Sequence, residues 1–431
     1  RTRSRCAHRA AERRSVAGPL RTASLMPIVG APEGGPSVEW LHKAHGPCAA
    51  GAALVARDRE ADATKMDESV LWVLQGEYGV LPRRSSSPLP ALLGTADATT
   101  CLIVLLATPH AVGCAHVDSE QTAEALRHVL ADMAACRSGP ARAAETPVDA
   151  WLLGSYSDGA DSVANVAGAL AALHAAPGFS VALRGVCVLG AATRSAAPSA
   201  ATAGGWGTAP GFPLCTAAAI RVAVPARASE GAAAAAAAGG AGGAAACKGE
   251  AATATLRGDA AGAEEGGPGP SMGEVEAFRC VSGAPAVSPL SPARMCRSLC
   301  PPLSDASLYD AASCGVAASA DSPALLPITR VAAGDRDAGP AWSLVVLPAV
   351  PRPGDGFPTA EACRALSDAA LLRMSTSPEH EPPSFCPAFR LALAFAAGGD
   401  ASAVAAFGRL PAGPRVLRPR QAAGGRLEFD S

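Results

Sequence analysis

Short apolar runs and amphipathic periodicities predict a mixture of strands and helices along this chain. Residues 66–81 are predicted to form a strand with a turn, and residues 101–107 a strand, because aliphatic runs are bounded there by turn-forming residues. Residues 119–135 and 162–176 are predicted helices, because apolar residues recur every three or four positions and Ser119 is suited to cap the first helix. Since strands and helices are mixed without strict alternation, we expect an α+β domain.

Further elements are predicted in the second half of the chain. Strands are expected at residues 148–158, 181–189, 212–224, 273–281, 308–311 and 342–348. The segments 212–224 and 273–281 are expected to pair as a hairpin. Residues 359–385 are expected to form a helix that ends in a proline-stopped loop, and residues 389–397 fit either a helix or a strand.

Low-complexity segments define the expected domain organisation. Residues 190–210 and 226–271 are rich in alanine and glycine without periodicity, so we expect long disordered insertions there. Residues 1–25 are rich in arginine and serine, which is typical of a transit peptide or of translated sequence upstream of a start at Met26. We therefore expect a single domain over residues 26–420, interrupted by both insertions, and a tail over residues 421–431.

Composition argues against several classes of function. The net charge of -2 gives no reason to expect a nucleic-acid partner. The sequence has no run of about 18 apolar residues, so we expect no membrane span. The 14 cysteines form no Cys-x-x-Cys pair, and the close pair Cys296 and Cys300 has no second pair, so we expect no metal and no cofactor. Scattered cysteines are typical of reduced thiols, so we expect a cytoplasmic or nuclear protein. We also expect a monomer.

One pair of residues has the chemistry of a nucleophile and its base. Cys101 opens an apolar strand, and His116 follows after a turn at Pro109 and His110, so a hairpin would bring the imidazole towards the thiol. A histidine base needs an orienting partner, for which Thr95 is placed in the preceding turn. Backbone N–H groups of residues 98–100 lie near the sulfur, where an oxyanion would form.

The residues alone leave this interpretation open. A cysteine at the start of a strand is more often part of the core than a nucleophile. Cys114, beside His116, is a competing thiol, although its apolar neighbours favour a packing role. The Cys101–His116 spacing is therefore a hypothesis of catalysis rather than a signature of it.

A resemblance to a known family favours the catalytic interpretation. The segment LGTADATTC, residues 93–101, resembles the nucleophile segment of the protein N-terminal asparagine amidohydrolases, whose pattern is close to LGSDDATTC. Further segments resemble the same family in the same order along residues 25–420: MPIVG (26–30), LWVLQGEYGV (71–80), WLLGSYSD (151–158), GFPLCTAAAIRVAV (211–224), GEVEAFR (273–279) and STSPEHEPPSF (375–385).

The resemblance implies a fold and an activity. The implied fold is an α-β-β sandwich similar to cysteine-dependent toxin and chemoreceptor deamidases. The implied activity is hydrolysis of the side-chain amide of an N-terminal asparagine, which gives aspartate and ammonia through a thioester and feeds the N-degron degradation pathway. The implied catalytic residues are Cys101, His116 and Thr95, and Thr95 stands where the family pattern has serine. Ala96 stands where the family pattern has an acid.

The sequence also offers candidate residues for substrate recognition, and it leaves two alternative functions open. An enzyme that acts on an N-terminal asparagine must bind the α-ammonium group, for which Asp97, Asp118 and Asp158 are candidates. Thr100, Pro27, Ser375 and Ser377 are further expected contacts of the protein or peptide substrate. The alternatives are another cysteine deamidase or transglutaminase-like enzyme, and a non-catalytic relative that binds N-termini.

Overall fold

The computed structural model describes part of the chain, in segments. The described residues are 28–32, 34–56, 60–62, 70–96, 98–118, 122–137, 145–156, 159–192, 212–214, 217–223, 272–282, 326–332, 340–346, 358–375, 378–379, 381, 385–407, 415–421 and 427–430. The predicted N-terminal extension, the predicted strand at 308–311, the insertion at 226–271 and most of the insertion at 190–210 lie outside them. The predicted domain boundaries stay predictions.

The described residues contain both helices and strands throughout. The helices are α1 (Val38–Lys43), α2 (His45–Val55), α3 (Thr122–Ala135), α4 (Ala160–His174), α5 (Ala360–Arg364), α6 (Asp368–Leu372) and α7 (Phe385–Phe407). The first eight strands are β1 (Glu60–Asp62), β2 (Val70–Val73), β3 (Glu77–Pro82), β4 (Leu92–Thr95), β5 (Leu102–Ala107), β6 (Ala111–Val117), β7 (Thr146–Gly154) and β8 (Phe179–Val188). The remaining strands are β9 (Ala217–Arg221), β10 (Val275–Ser282), β11 (Leu326–Pro327), β12 (Thr329–Ala332), β13 (Ala341–Val346), β14 (Arg415–Gln421) and β15 (Leu427–Asp430).

Three sheets organise these strands. A six-stranded sheet has the order β11-β3-β6-β5-β7-β8, and a five-stranded sheet has the order β1-β10-β9-β4-β2. A four-stranded sheet, β12-β13-β14-β15, contributes Trp342, Leu344 and Leu417 to the apolar core that the other two sheets share. The mixed helices and sheets confirm the α+β class.

The six-stranded sheet is a middle layer, and this explains the composition of its central strands. Every residue of β5 and β6 is buried, because both faces of these strands are covered. Ile103 and Leu105 of β5 pack towards the five-stranded sheet, whereas Leu102 and Val104 pack towards the helices, as the alternation of a strand requires. A central strand of this sheet is therefore apolar at every position, without the alternation of apolar and polar residues found in a strand with one exposed face.

Helices α3 and α4 form the outer layer on the other face of the middle sheet. Ala125, Val129 and Met133 of α3 are buried in one cluster with Val166 and Leu170 of α4 and with the outward-facing residues of β5 and β6. The apolar residues whose periodicity predicted both helices thus lie on the face that packs against the sheet. Helix layer, six-stranded sheet and five-stranded sheet together make an α-β-β arrangement.

Several predicted elements are confirmed with shifted bounds. The hairpin of β5 and β6 pairs Leu102 with Val117 and Ala107 with Val112, with the turn at residues 108–110. The predicted pairing of segments 212–224 and 273–281 is present as the antiparallel pair β9 and β10. Residues 389–397 are helical, inside α7, which settles the choice between helix and strand.

Other predictions differ from the structure. The single helix expected at 359–385 is wrong: it is two short helices, α5 and α6, because the Ser367 side chain accepts the N–H of Ala370 and starts a new helix there. Residues 189–192 form a 3₁₀ turn at the start of the predicted insertion, and residues 427–430 of the predicted tail form β15. Helices α1 and α2 were not predicted. No helix among the described residues is long and apolar enough to cross a membrane.

Candidate active site

Three strand ends bring Thr95, Cys101 and His116 to one place. Thr95 is the last residue of β4 in the five-stranded sheet, Cys101 directly precedes β5, and His116 is the penultimate residue of β6. Ile103 of β5 pairs with His116, so the antiparallel register puts both side chains on one face of the sheet. Cys101 lies two residues before Ile103 and therefore shares that face, which is the one turned towards β4.

A hydrogen bond between the two sheets orients the imidazole. Thr95 Oγ1 lies 2.7 Å from His116 Nδ1, and both side chains are buried. The residue opposite Thr95 on β9 is Ala218, whose small side chain leaves room for the threonine methyl group. His116 Nε2 is buried and has no hydrogen-bond partner among the described residues. In the tautomer with the proton on Nδ1, which then donates to Thr95, Nε2 carries a lone pair and can accept a proton.

Burial keeps the His116 side chain neutral. It lowers the pKa of His116 to about 4, although the nearby carboxylate of Glu77 acts in the opposite direction. Glu77 begins β3, and the turn before it is fastened to β6 because Gly76 N–H donates to the His116 carbonyl oxygen at 3.1 Å. At neutral pH the ring is therefore an imidazole, which can act as a general base.

The Cys101 thiol is buried beside a carboxylate. Burial raises the pKa of Cys101 well above its usual value, and the Asp118 carboxylate, which accepts a hydrogen bond from the thiol, raises it further. The Thr100 hydroxyl opposes this by hydrogen bonding to the sulfur. Both the thiol and the imidazole are thus neutral in the free protein, so a thiolate can form only by proton transfer when something else stabilises it.

A strained turn at the end of β7 supports the Cys101 backbone, a role that no sequence pattern indicates. Ser155 N–H donates to the Cys101 carbonyl oxygen at 2.8 Å, while Gly154 and Ser155 have φ angles of 85° and 48°. A Cβ atom on Gly154 would lie 2.8 Å from the same oxygen, so only glycine fits there. The Ser155 hydroxyl donates to the Ser162 carbonyl at 3.1 Å, which ties the turn to the start of α4.

Two carboxylates contribute to the raised pKa of the Cys101 thiol, those of Asp118 and Glu381. Asp118 follows β6, is exposed, and accepts a hydrogen bond from the Gln75 side-chain amide. Glu381 lies after the STSP segment and accepts a hydrogen bond from the Ser375 hydroxyl. Glu381 is not among the site residues predicted from the sequence, although it lies in a segment that resembles the family.

The surroundings of Ala96 and of Cys114 explain both residues. Ala96, where the pattern has an acid, is buried in an apolar cluster with Trp72 and Leu92, on the opposite side of β4 from Thr95. Cys114, the competing thiol, is fully buried in the core between the sheets, and burial raises its pKa. Its surroundings are those of a packing residue.

The structure brings together some of the predicted site residues. Thr95, Thr100, Cys101, His116 and Asp118 are described and lie within this arrangement as stated above, whereas the described contact of Ser375 is its hydrogen bond to Glu381. The remaining predicted residues lie outside the described part of the chain: Pro27, Asp97, Asp158 and Ser377.

Comparisons with known proteins identify the sequence around this site. The family model described as protein N-terminal asparagine amidohydrolase matches residues 60–202, about a third of the 431-residue chain. The resemblance inferred from the sequence is confirmed over this range, which contains Thr95, Cys101, His116 and Asp118. Ser375 and Glu381 lie beyond it. No curated protein matches the chain.

Proposed function

We propose that this protein hydrolyses the side-chain amide of an N-terminal asparagine in proteins or peptides, with Cys101 as nucleophile. The matched family implies amidohydrolase activity on N-terminal asparagine. The observation that carries the assignment to this site is His116, whose Nδ1 is bonded to Thr95 at 2.7 Å and whose buried Nε2 has no partner among the described residues. A buried, oriented and unpaired imidazole on the same sheet face as a thiol is the arrangement of a base and its nucleophile.

The first half of the reaction forms a thioester. His116 Nε2 takes the thiol proton while the Cys101 sulfur attacks the amide carbon, and the electron pair of the C=O π bond moves to oxygen to give a tetrahedral oxyanion. We assign stabilisation of that oxyanion to backbone N–H groups of residues 98–100. When the oxyanion collapses, the imidazolium gives its proton to the departing nitrogen and ammonia leaves.

The second half restores the thiol. His116 accepts a proton from water, whose oxygen attacks the thioester carbon, and the C–S bond breaks with return of the proton to the sulfur. The net change is asparagine plus water to aspartate plus ammonia. Thr95 holds the ring in the same tautomer through both halves, and this role needs only its hydroxyl group.

Substrate recognition at this site extends to residues that only the sequence assigns. We propose Thr100, Asp118 and Ser375 as contacts of the substrate from the described residues. From the sequence alone we also propose Pro27, Asp97 and Ser377. By the resemblance to the family, the aspartate product would enter the N-degron pathway. From the sequence alone we also propose a cytoplasmic or nuclear location and a monomeric state.

Mass spectrometry on three peptides tests the proposed function. We expect a mass gain of about one dalton with ammonia release from a peptide that begins with asparagine, and none from the same peptide beginning with glutamine or acetyl-asparagine. Conversion of the glutamine peptide would favour the broader deamidase. Binding of the asparagine peptide by the wild-type protein without ammonia release would favour the non-catalytic relative.

A further inference from the structure

Glu77 is a buried carboxylate directly opposite His116 on the neighbouring strand. Tyr78 of β3 pairs with Ala115 of β6, so the same antiparallel register places Glu77 opposite His116. Residues opposite each other in such a pair point to the same face of the sheet, with Cβ atoms about 4.5–5.5 Å apart. Leu81, further along β3 on the same face, packs in the core between the six-stranded and five-stranded sheets. Glu77 therefore lies beside the imidazole, and both residues are 1% exposed.

Part of the role of Glu77 is to close the turn before β3. Its Oε2 accepts the Leu74 N–H at 2.9 Å, and its own N–H donates to the Leu74 carbonyl oxygen at 3.0 Å. A glutamine side chain would supply the same acceptor without a charge. The turn therefore accounts for a polar oxygen at this position, but not for a buried carboxylate, whose transfer from water is costly.

Strand order places the imidazole between this carboxylate and the thiol. Strand β6 lies between β3 and β5 in the six-stranded sheet, so Glu77 flanks His116 on one side and Cys101 precedes the strand on the other. Register and alternation put all three side chains on the same face. A protonated His116 would therefore have an anionic neighbour on each side once the thiol has given up its proton.

The other elements around the imidazole supply no second buried carboxylate. Among the described residues, β2, β4 and β5 carry no titratable side chain, and the charged residue of β9, Arg221, is at the far end of that strand and pairs with Glu274 at 2.7 Å. On β6 itself the other titratable group is the buried Cys114 thiol, and Asp118 beyond the strand is exposed. Helix α3 packs on the opposite face of the sheet.

The proposed reaction makes the His116 ring positive twice, when it takes the thiol proton and when it takes a proton from water. A buried imidazolium is unfavourable, and burial lowers the pKa of His116 to about 4. The Glu77 carboxylate opposes this effect, whereas the Thr95 hydroxyl fixes the tautomer without adding a charge. Two functions that one carboxylate combines in a Ser–His–Asp triad, orientation of the ring and stabilisation of its charged form, are thus divided here between two residues.

We propose that Glu77 is a positioning residue that acts through His116, by stabilising the imidazolium formed in each half of the reaction. This proposal rests on the proposed function and adds a fourth residue to Cys101, His116 and Thr95. Glu77 transfers no proton and touches no reacting atom. Its charge accelerates the reaction because the positive charge on the ring develops in the transition state and is absent from the free protein.

Two substitutions separate the charge of Glu77 from its role in the turn. Glu77→Gln removes the charge and keeps an oxygen that accepts the Leu74 N–H, whereas Glu77→Asp keeps the charge and is too short to keep that hydrogen bond. We expect Glu77→Gln to lower kcat about 10- to 100-fold with KM within about twofold, and Glu77→Asp to recover most of this loss. Asp132→Asn is the matched control, because its carboxylate accepts the Tyr78 hydroxyl at 2.9 Å on the helix side of the sheet; it should keep the wild-type kcat.

The acid limb of kcat/KM is a readout that a role in the turn alone would not move. Without the carboxylate the ring is less basic, so in Glu77→Gln the fall of kcat/KM on acidification should occur about one pH unit lower than in the wild-type protein. Wild-type kcat and an unmoved acid limb in a folded Glu77→Gln protein would overturn the proposal while the amidohydrolase activity stands. Loss of kcat in Glu77→Asp but not in Glu77→Gln would also overturn it, in favour of the turn alone.

NMR titration of the His116 ring decides the point even if the wild-type protein releases no ammonia. The comparison is between Cys101→Ala and Cys101→Ala with Glu77→Gln, since protonation of the ring needs no turnover. A ring that becomes protonated about one pH unit lower in the double variant would support the proposal. Identical titration of the two proteins would overturn it.

Discussion

The two ends of the β5–β6 hairpin are built from similar residues but differ in how their polar groups are satisfied. At the turn end, Thr108 Oγ1 accepts the N–H groups of His110 and Ala111, at 3.1 Å and 2.8 Å. Arg83 Nε donates to the Thr108 carbonyl oxygen at 2.7 Å. The buried polar groups at this end have the partners that a stable fold requires.

The open end of the hairpin has the opposite character. His116 is as buried as Thr108, but its Nε2 has no partner among the described residues, and the Cys101 thiol lies among carboxylates that disfavour its ionised form. Buried polar groups without a partner and titratable groups with strongly shifted pKa values are concentrated at sites that bind a ligand or carry out a reaction. The comparison teaches that one hairpin end serves stability and the other serves chemistry, and matched substitutions at the two ends can test that division.

The largest expected effect is on activity at Cys101. We expect Cys101→Ala to lower kcat at least about a thousandfold, because no other group supplies the covalent step. Cys114→Ala, on the neighbouring strand, should keep the wild-type kcat and lose about 1–2 kcal/mol of unfolding free energy through the small cavity it leaves. Ammonia release and urea unfolding measure the two effects. Full activity of a folded Cys101→Ala protein would contradict the assignment of the nucleophile.

Local patterns predicted the hairpin because everything they needed was close in sequence. Residues 101–117 contain both apolar strands and the turn residues between them, Pro109 and His110. These 17 residues are enough to predict two paired strands that are buried on both faces. Thr95 was proposed as the partner of His116 from its place in the preceding turn and from the family resemblance, but its contact with His116 joins two different sheets. That contact depends on how the sheets pack, which no pattern of neighbouring residues reports.

The effect of Glu381 on Cys101 and the conformation of the Gly154–Ser155 turn were missed for different physical reasons. Glu381 is distant from Cys101 in sequence, so no local pattern reports that its charge raises the pKa of the thiol, and a glutamate next to prolines is typical of a turn. The positive φ of Gly154 is compatible with its sequence, but Ser155 at φ 48° is not an expected left-handed residue. Surrounding contacts impose that conformation, so local propensity could not predict it.

The second prediction concerns the glycine that supports the open end. Gly154→Ala combines a left-handed backbone penalty of about 1–2 kcal/mol with a collision against the Cys101 carbonyl oxygen, which adds about 1–3 kcal/mol. Gly178→Ala is the matched control, because its φ of 72° carries the same backbone penalty but its nearest neighbour is an arginine side-chain end at 3.7 Å. Urea unfolding should show the larger loss for Gly154→Ala, and only that variant should also lower kcat. If both variants lost the same unfolding free energy, the Cys101 carbonyl oxygen would be able to move away from the added methyl group at little cost.

The third prediction uses the pH dependence of stability. His116 has a pKa of about 4 when folded and an ordinary value near 6.5 when unfolded, so the unfolded chain binds more protons between these values. Its neutral burial is therefore without cost above pH 6.5, and as the pH falls from 6.5 to 4 the unfolding free energy should drop by about 3 kcal/mol from this residue alone. His116→Gln should remove that part of the slope.

The control for the pH experiment lies at the turn end. Partial desolvation and the charges of Arg137 and Arg84 also lower the pKa of His110. The His110 residue is nevertheless exposed, whereas His116 is buried. His110→Gln should therefore change the slope much less than His116→Gln. Urea unfolding at intervals between pH 4 and pH 6.5 makes the comparison, and identical slopes in the wild-type and His116→Gln proteins would contradict the neutral burial of His116.

The smallest expected effect separates the two ends with a pair of identical substitutions. Thr95→Val keeps the shape of the side chain but leaves His116 Nδ1 without its partner, so we expect kcat to fall about 10- to 100-fold, whereas Thr95→Ser should stay within a few-fold of wild type. Thr108→Val removes the acceptor of two N–H groups and should cost about 1–3 kcal/mol of unfolding free energy with kcat unchanged. If Thr95→Val retained kcat, the imidazole would be oriented by the packing of the sheets rather than by the hydroxyl group. Threonine at position 95 would then be a space-filling residue, and the methyl group that distinguishes it from serine would carry its role.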